Sequence, residues 1–193
     1  MSGGFIFKLG LILKNPKKLF EQLRVEDPAK AVDFSFWLTL LSMAIWIPLS
    51  LIASGFRPSA VVFFAAFFTA VTISIFLFLW TFFWAFLLHL YVKRHVKAGA
   101  ENTSYWRSYQ VYAFGSLLPE NLTYGFADLL GRTMYSGILP QIIWISGLVW
   151  AVLNLIIGGT ILFETTRKKM MLAALLYLAT KVLFFKGHVS IKM

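Results

Sequence analysis

Hydrophobic positions along this chain gather into long unbroken blocks, not the short alternations of a soluble fold. The first block, "FIFKLGLIL", is interrupted by Lys8. It is too short to cross a bilayer, which takes about 20 apolar residues, so it predicts a segment that grazes the membrane. It also lacks the small-residue cleavage pattern of a signal peptide. "KNPKKLFEQLR" has helical spacing: Asn15 can cap, Pro16 suits the first position, and Leu19, Phe20 and Leu23 share one face. Lys17, Lys18, Glu21 and Arg24 take the other face, which predicts a short amphipathic helix lying on headgroups. Asp27 and Pro28 then open a first span, roughly 31 to 54, with Pro48 as a candidate kink, and "SGFRPS" reads as a turn. Residues 59 to 91 contain no Gly or Pro and predict one helix. At 1.5 Å per residue it is about 50 Å long against a hydrocarbon core of about 30 Å. Its last turns should therefore leave the membrane, with Trp80 and Trp84 at the interface and Lys93 and Arg94 in water.

Two further apolar blocks follow residue 137. Residues 138 to 163 predict a span in which Gly147 and Ala151 have the small-xxx-small spacing of closely packed helices, and Gly158 and Gly159 add a second packing surface. After the basic loop "ETTRKK", residues 170 to 185 predict a short span carrying Lys181. The segment between, "SYWRSYQVYAFGSLLPENLTYGFADLLG" at 104 to 131, is harder to place, because it mixes apolar residues with Arg107, Gln110, Pro119, Glu120, Asn121 and Asp128.

Charge decides that segment. If it spans, one side receives Lys8, Lys14, Lys17, Lys18, Arg24, Lys30, Lys93, Arg94, Lys97, Arg107, Arg167, Lys168 and Lys169. The other side keeps only Arg57, Arg132, Lys186 and Lys192. With four spans the asymmetry shrinks. The positive-inside rule then puts the N-terminus in the cytoplasm and the C-terminus outside. The expected fold is an all-α integral membrane protein of five transmembrane helices with a short N-terminal amphipathic interfacial helix. Residues 1–30 form the cytoplasmic or interfacial segment, 31–186 the transmembrane domain and 187–193 a tail. No internal repeat is visible.

Composition agrees with a lipid solvent. Of 193 residues, 59% are hydrophobic and 18% aromatic, with twenty Phe, and the mean hydropathy is +0.75. A soluble domain of this length could not hide so much apolar surface. Eighteen Lys and Arg against eight acids give +10. In short loops such an excess records topology and contact with anionic headgroups, here through Lys14, Lys17, Lys18, Arg24, Lys93, Arg94, Arg167, Lys168 and Lys169. The basic loops have no aromatic platform for nucleic acid, so none is expected as a partner.

The third span poses the chemical question. Pro119 cannot donate to the helix ladder and crowds the carbonyl of Gly115. Glu120 and Asn121 follow at mid-membrane depth, where a charge costs roughly 3 kcal/mol or more on insertion scales and needs a partner, a proton or water. Glu120 lies twelve residues beyond Ser108, and Lys181 twelve beyond Lys169. Both helices run outward, so both charges stand about 18 Å up and could pair. The alternative leaves Lys181 snorkelling and Glu120 protonated beside Asn121. Asp128 and Arg132, at i and i+4, should meet near the outer interface.

Motifs for catalysis are missing. The chain has no Cys, which excludes disulfides, cysteine-held clusters and thiol chemistry. Its three His are scattered, without metal-site spacing. No Ser–His–Asp spacing or phosphate-binding Gly loop appears, so no catalytic residue, cofactor or metal is expected and an enzyme is not.

The order of elements resembles the Yip family, the Ypt/Rab-interacting-protein domain of five membrane helices. Its members begin with an Asn-Pro…Phe…Leu element, matched by Asn15, Pro16, Phe20 and Leu23. A Tyr-Ala…Pro pattern opens their third helix, matched by Tyr112, Ala113 and Pro119. A Trp-rich fourth helix and basic loop match Trp144, Trp150, Arg167 and Lys168. Many members have a glycine-rich stretch before the third helix, where this chain offers only Gly99. Only the short 1–30 segment precedes the first span, so the chain is similar to minimal prokaryotic members and the GTPase link of eukaryotic relatives does not transfer.

The resemblance implies a non-enzymatic membrane organiser, scaffold or accessory subunit. Its partners would be membrane lipids and another membrane protein or further copies of itself. The alternative is a small carrier or channel subunit using Pro119, Glu120, Asn121, Asp128 and Lys181 as an intramembrane polar path. In a scaffold Glu120 fixes helix packing. In a carrier it titrates or touches cargo.

Overall fold

The computed structural model describes residues 4–57, 59–96, 104–133 and 138–186, and every regular element among them is helical. Two short helices, α1 (Phe5–Lys14) and α2 (Pro16–Leu23), precede α3 (Lys30–Ala53) and the 36-residue α4 (Ala60–His95). Helix α5 (Tyr105–Tyr112) continues through a π-helical turn (Ala113–Leu117) into α6 (Leu118–Thr133). Helices α7 (Ile138–Leu162) and α8 (Arg167–Lys186) complete the bundle. Three of them, α3, α4 and α7, are long and apolar enough to cross a membrane.

Local chemistry sets the boundaries. The Asn15 side chain accepts from the Lys18 N–H at 3.0 Å and Pro16 occupies the first position of α2. Ser59 and Ser104 do the same for α4 and α5, accepting from the N–H groups of Val62 and Arg107 at 3.2 Å. Just past α3, Gly55 has φ +87°, a left-handed conformation that ends a helix without a Cβ penalty.

Packing pairs α3 with α4 and α6 with α7, while α8 lies against both α4 and α7. The core is concentrated at the end of the bundle where α2 meets α7, with Leu88, Val92, Val111, Leu155, Leu162 and Met170 all buried. Ile12, Leu19, Phe20 and Leu23 belong to the same core. The N-terminal segment is thus two helices, and the apolar face of α2 is covered by protein. Phe20 is fully buried over Gly158, where a Cβ would overlap its ring. Lys17 and Lys18, on the opposite face, stay exposed. The gap left by glycine on α7 is what lets α2 seat here.

Trp84 also differs from its expected interfacial place. It is 2% exposed and packs edge-on to Tyr177 of α8. Elsewhere on α4 the outward face is apolar, with Phe63, Phe64, Phe67 and Phe68 all exposed.

Candidate functional site: a polar cluster in the third long helix

Just ahead of Pro119, the π-helical turn carries an extra residue in the helix, which relieves the crowding a proline creates four residues back. Gly115 lies inside that turn, and a Cβ on it would stand 3.3 Å from the Leu155 backbone nitrogen, so α7 approaches closely here. Thr123 Oγ1 donates to the Pro119 carbonyl at 2.7 Å.

One turn on, Glu120 accepts hydrogen bonds from Ser116 Oγ and from Lys181 Nζ of α8. Lys181 also donates to the Tyr177 hydroxyl at 3.2 Å. Its ammonium lies 4.9 Å from the Trp84 ring centre and 5.5 Å from those of Tyr112 and Tyr177. The side chains of the pair are 5% and 17% exposed for Lys181 and Glu120. A buried ammonium held by a carboxylate, a hydroxyl and three aromatic faces is compensated on every side the chain provides.

A second polar station lies two turns away. Asp128 accepts from Ser50 Oγ of α3 at 2.8 Å and from Arg132 Nε at 2.9 Å, and Arg132 Nη1 reaches Ser54 Oγ at 3.0 Å. These contacts tie α6 to α3. Between the two stations is a cavity of about 410 Å³ walled by Met43, Trp46, Trp80, Tyr124, Trp144 and Leu148 among others. Asn121 is part of its wall, and the Asn121 amide nitrogen is buried without a hydrogen-bond partner among the described residues.

A third polar group in this segment was not visible in the sequence as a site. The Arg107 guanidinium donates to the carbonyls of Leu23 and Arg24 at 3.0 Å, of Glu26 at 3.3 Å, and to Gln110 Oε1 at 2.8 Å. Gln110 Nε2 adds a bond to the Leu23 carbonyl at 3.2 Å. The carbonyls that end α2 need donors, and Arg107 supplies them. The only sequence signal is an Arg and a Gln three apart at a helix start. Asn154 was likewise missed: it is 2% exposed on α7, with an amide nitrogen lacking a partner among the described residues.

The small residues of α7 each meet a different neighbour. Gly147 faces Thr123 of α6, Gly158 faces Phe20 and Gly159 faces Met170, all closer than a side chain would permit, while Ala151 is buried. Of the expected headgroup cations, Lys14, Lys17, Lys18, Lys93, Arg94, Arg167, Lys168 and Lys169 are exposed. Arg24 is exposed too, and pairs with Glu164 at the surface. Lys8 is drawn inward, 2.5 Å from Glu26 and over the Phe114 ring. Among the described residues no three His, Asp or Glu converge as metal ligands.

Comparison with family models, with curated proteins and with solved structures finds no match for this chain.

Proposed function

We propose that this chain is a non-enzymatic integral membrane protein of Yip type, an organiser, scaffold or accessory subunit that works through contacts with another membrane protein, with its own copies or with lipid. In this reading it has five spans. They are α3, α4, the α5–α6 stretch, α7 and α8, with the N-terminus cytoplasmic and the C-terminus outside. Arg107, Arg167, Lys168 and Lys169 then face the same side as α1 and α2, as the positive-inside rule requires. The exposed cations on that side suit anionic headgroups.

The observation that carries the reading is the enclosure of Lys181. Its charge and that of Glu120 are engaged in joining α6 to α8, with aromatic rings around the ammonium. Asp128 and Arg132 join α6 to α3. Charges committed to holding helices together are structural glue, and both pairs that border the cavity are engaged in this way. The cavity favours the alternative, a small carrier or channel subunit, but its mostly apolar lining suits an oily ligand better than an ion.

Gentle purification from the native membrane followed by mass spectrometry tests this. A stoichiometric protein or lipid partner is expected. A lone protein that drives flux in proteoliposomes, with Glu120→Gln abolishing flux while the fold survives, would establish the carrier instead.

A further inference from the structure

The cavity between α3, α4, α6 and α7 measures about 410 Å³, within the roughly 300–1,000 Å³ typical of small-molecule sites. Its wall is largely carbon, with the flat indoles of Trp46, Trp80 and Trp144 beside Met43 and Leu148. Polar groups share the wall, among them Thr39, Ser50, Thr81, Tyr124 and Asn121. The Asn121 amide nitrogen is buried and unpartnered among the described residues, a state that buried donors rarely occupy. The charged groups at the two ends are already engaged, Lys181 with Glu120 and Asp128 with Ser50 and Arg132. Asn121 thus brings to this wall a buried amide nitrogen still able to recognise a ligand by hydrogen bonding.

Depth narrows the chemistry. Asn121 precedes Arg132 by eleven residues, about 16 Å along a helix at 1.5 Å per residue. With Arg132 at the outer interface, the amide stands near the middle of a hydrocarbon core of about 30 Å. A phospholipid seated in the outer leaflet keeps its carbonyls at the interface and would bring only methylenes to this depth. A conjugated ring bearing a carbonyl fits both features, because its oxygen can accept from the amide while its face lies on the indoles. We propose that the cavity binds a membrane-borne lipophile of the quinone type, a flat carbonyl-bearing ring whose oxygen accepts from the Asn121 amide nitrogen. The proposal concerns binding alone. It rests on the membrane reading above and deepens it by naming the class of lipophilic ligand.

The test uses the full chain in phosphatidylcholine vesicles, labelled with a short-tailed photoreactive azidoquinone and mapped by mass spectrometry. Saturable labelling is expected within residues 43–47 and 144–148, competed by an unlabelled alkylquinone. Asn121→Leu, checked for native helical content, should weaken half-saturation about fivefold or more, the effect of losing one hydrogen bond of ordinary net strength. Leu148→Trp, which fills the cavity from α7 and keeps the amide, should abolish the saturable component and serves if the first variant does not fold.

Three results would overturn the proposal. One is labelling that rises linearly, is the same in the variants and is confined to the exposed Phe63 and Phe64 face. Another is saturable labelling of the same residues by a diazirine fatty acid and not by the quinone. The third is reaction of Asn121→Cys, the chain's only thiol, with a charged reagent, which would mark a water-filled vestibule. Partner capture is read separately on the unaltered protein, so failure of the ligand and failure of the organiser reading are distinguishable.

Discussion

Lys181 of α8 donates into the carboxylate of Glu120 on α6, sixty-one positions away in the chain, while Arg132 donates to Asp128 four positions away on its own helix. The two ion pairs differ in setting more than in chemistry. The first is nearly closed to solvent, and the side chains of the second are 47% and 35% exposed for Arg132 and Asp128. Burial makes each charge of the first pair depend on the other, because either one left alone inside the bundle loses its counter-charge. Exposure leaves the second screened and replaceable.

Asp128→Asn should therefore lower stability by under about 1 kcal/mol, as exposed pairs do, and its effect should fade at high salt. Thermal unfolding in detergent at low and high ionic strength measures this. A loss of several kcal/mol would show that the Ser50–Asp128–Arg132–Ser54 contacts carry the α3–α6 interface.

Arg107 links the N-terminal helices to the bundle through three carbonyls at the end of α2. Arg107→Leu removes a charged donor from all of them, a loss of about 1.5–3 kcal/mol by the usual strength of such bonds. Hydrogen exchange across residues 5–26 should rise while exchange in α7 stays slow. Arg107→Lys should restore part of the protection, since an ammonium can serve one or two of the carbonyls but not the whole fork.

Phe20 and Gly158 form a knob and its recess. A Cβ at position 158 would come within 2.5 Å of the Phe20 ring, so Gly158→Ala should destabilise by about 1–3 kcal/mol through overpacking. Combined with Phe20→Leu, the loss should be smaller than the sum of the two single changes, a coupling that thermal unfolding of all four proteins reads directly.

The absence of cysteine makes topology easy to probe. In right-side-out vesicles, Phe56→Cys in the α3–α4 turn should react with an impermeant thiol reagent, and Thr166→Cys before α8 should react only after permeabilisation. Both positions are exposed. Equal access to the two from one side would remove the α5–α6 stretch from the list of spans.

How far the sequence could be read depended on the range of the interaction. Asn15, Ser59 and Ser104 act within three residues, and the Pro, Gly and apolar runs around them mark the helix ends in the sequence itself. The long run to His95 was legible because nothing inside it could break a helix. Equal rise along two outward helices brought Glu120 and Lys181 to one depth on paper, although not to one azimuth. What stayed hidden was contact between distant elements. Phe20 on Gly158, Arg107 on the α2 carbonyls and Trp84 under Lys181 all depend on how helices rotate and cross, which periodicity does not encode. The amphipathic pattern of α2 is equally suited to a lipid surface or a protein groove. The glycine across from it on α7 decided between them.

The contact between Glu120 and Lys181 is glue that holds α6 to α8. Its sharpest test is the stability of Glu120→Gln, Lys181→Met and the double variant beside the unaltered protein, by thermal or denaturant unfolding in one detergent. Removing one member of a buried pair strands the other, so each single change should cost about 3–5 kcal/mol, and the double change, which strands nothing, should recover most of that loss. Single variants as stable as the unaltered protein, with losses that simply add in the double, would contradict the account and return Glu120 to the carrier reading.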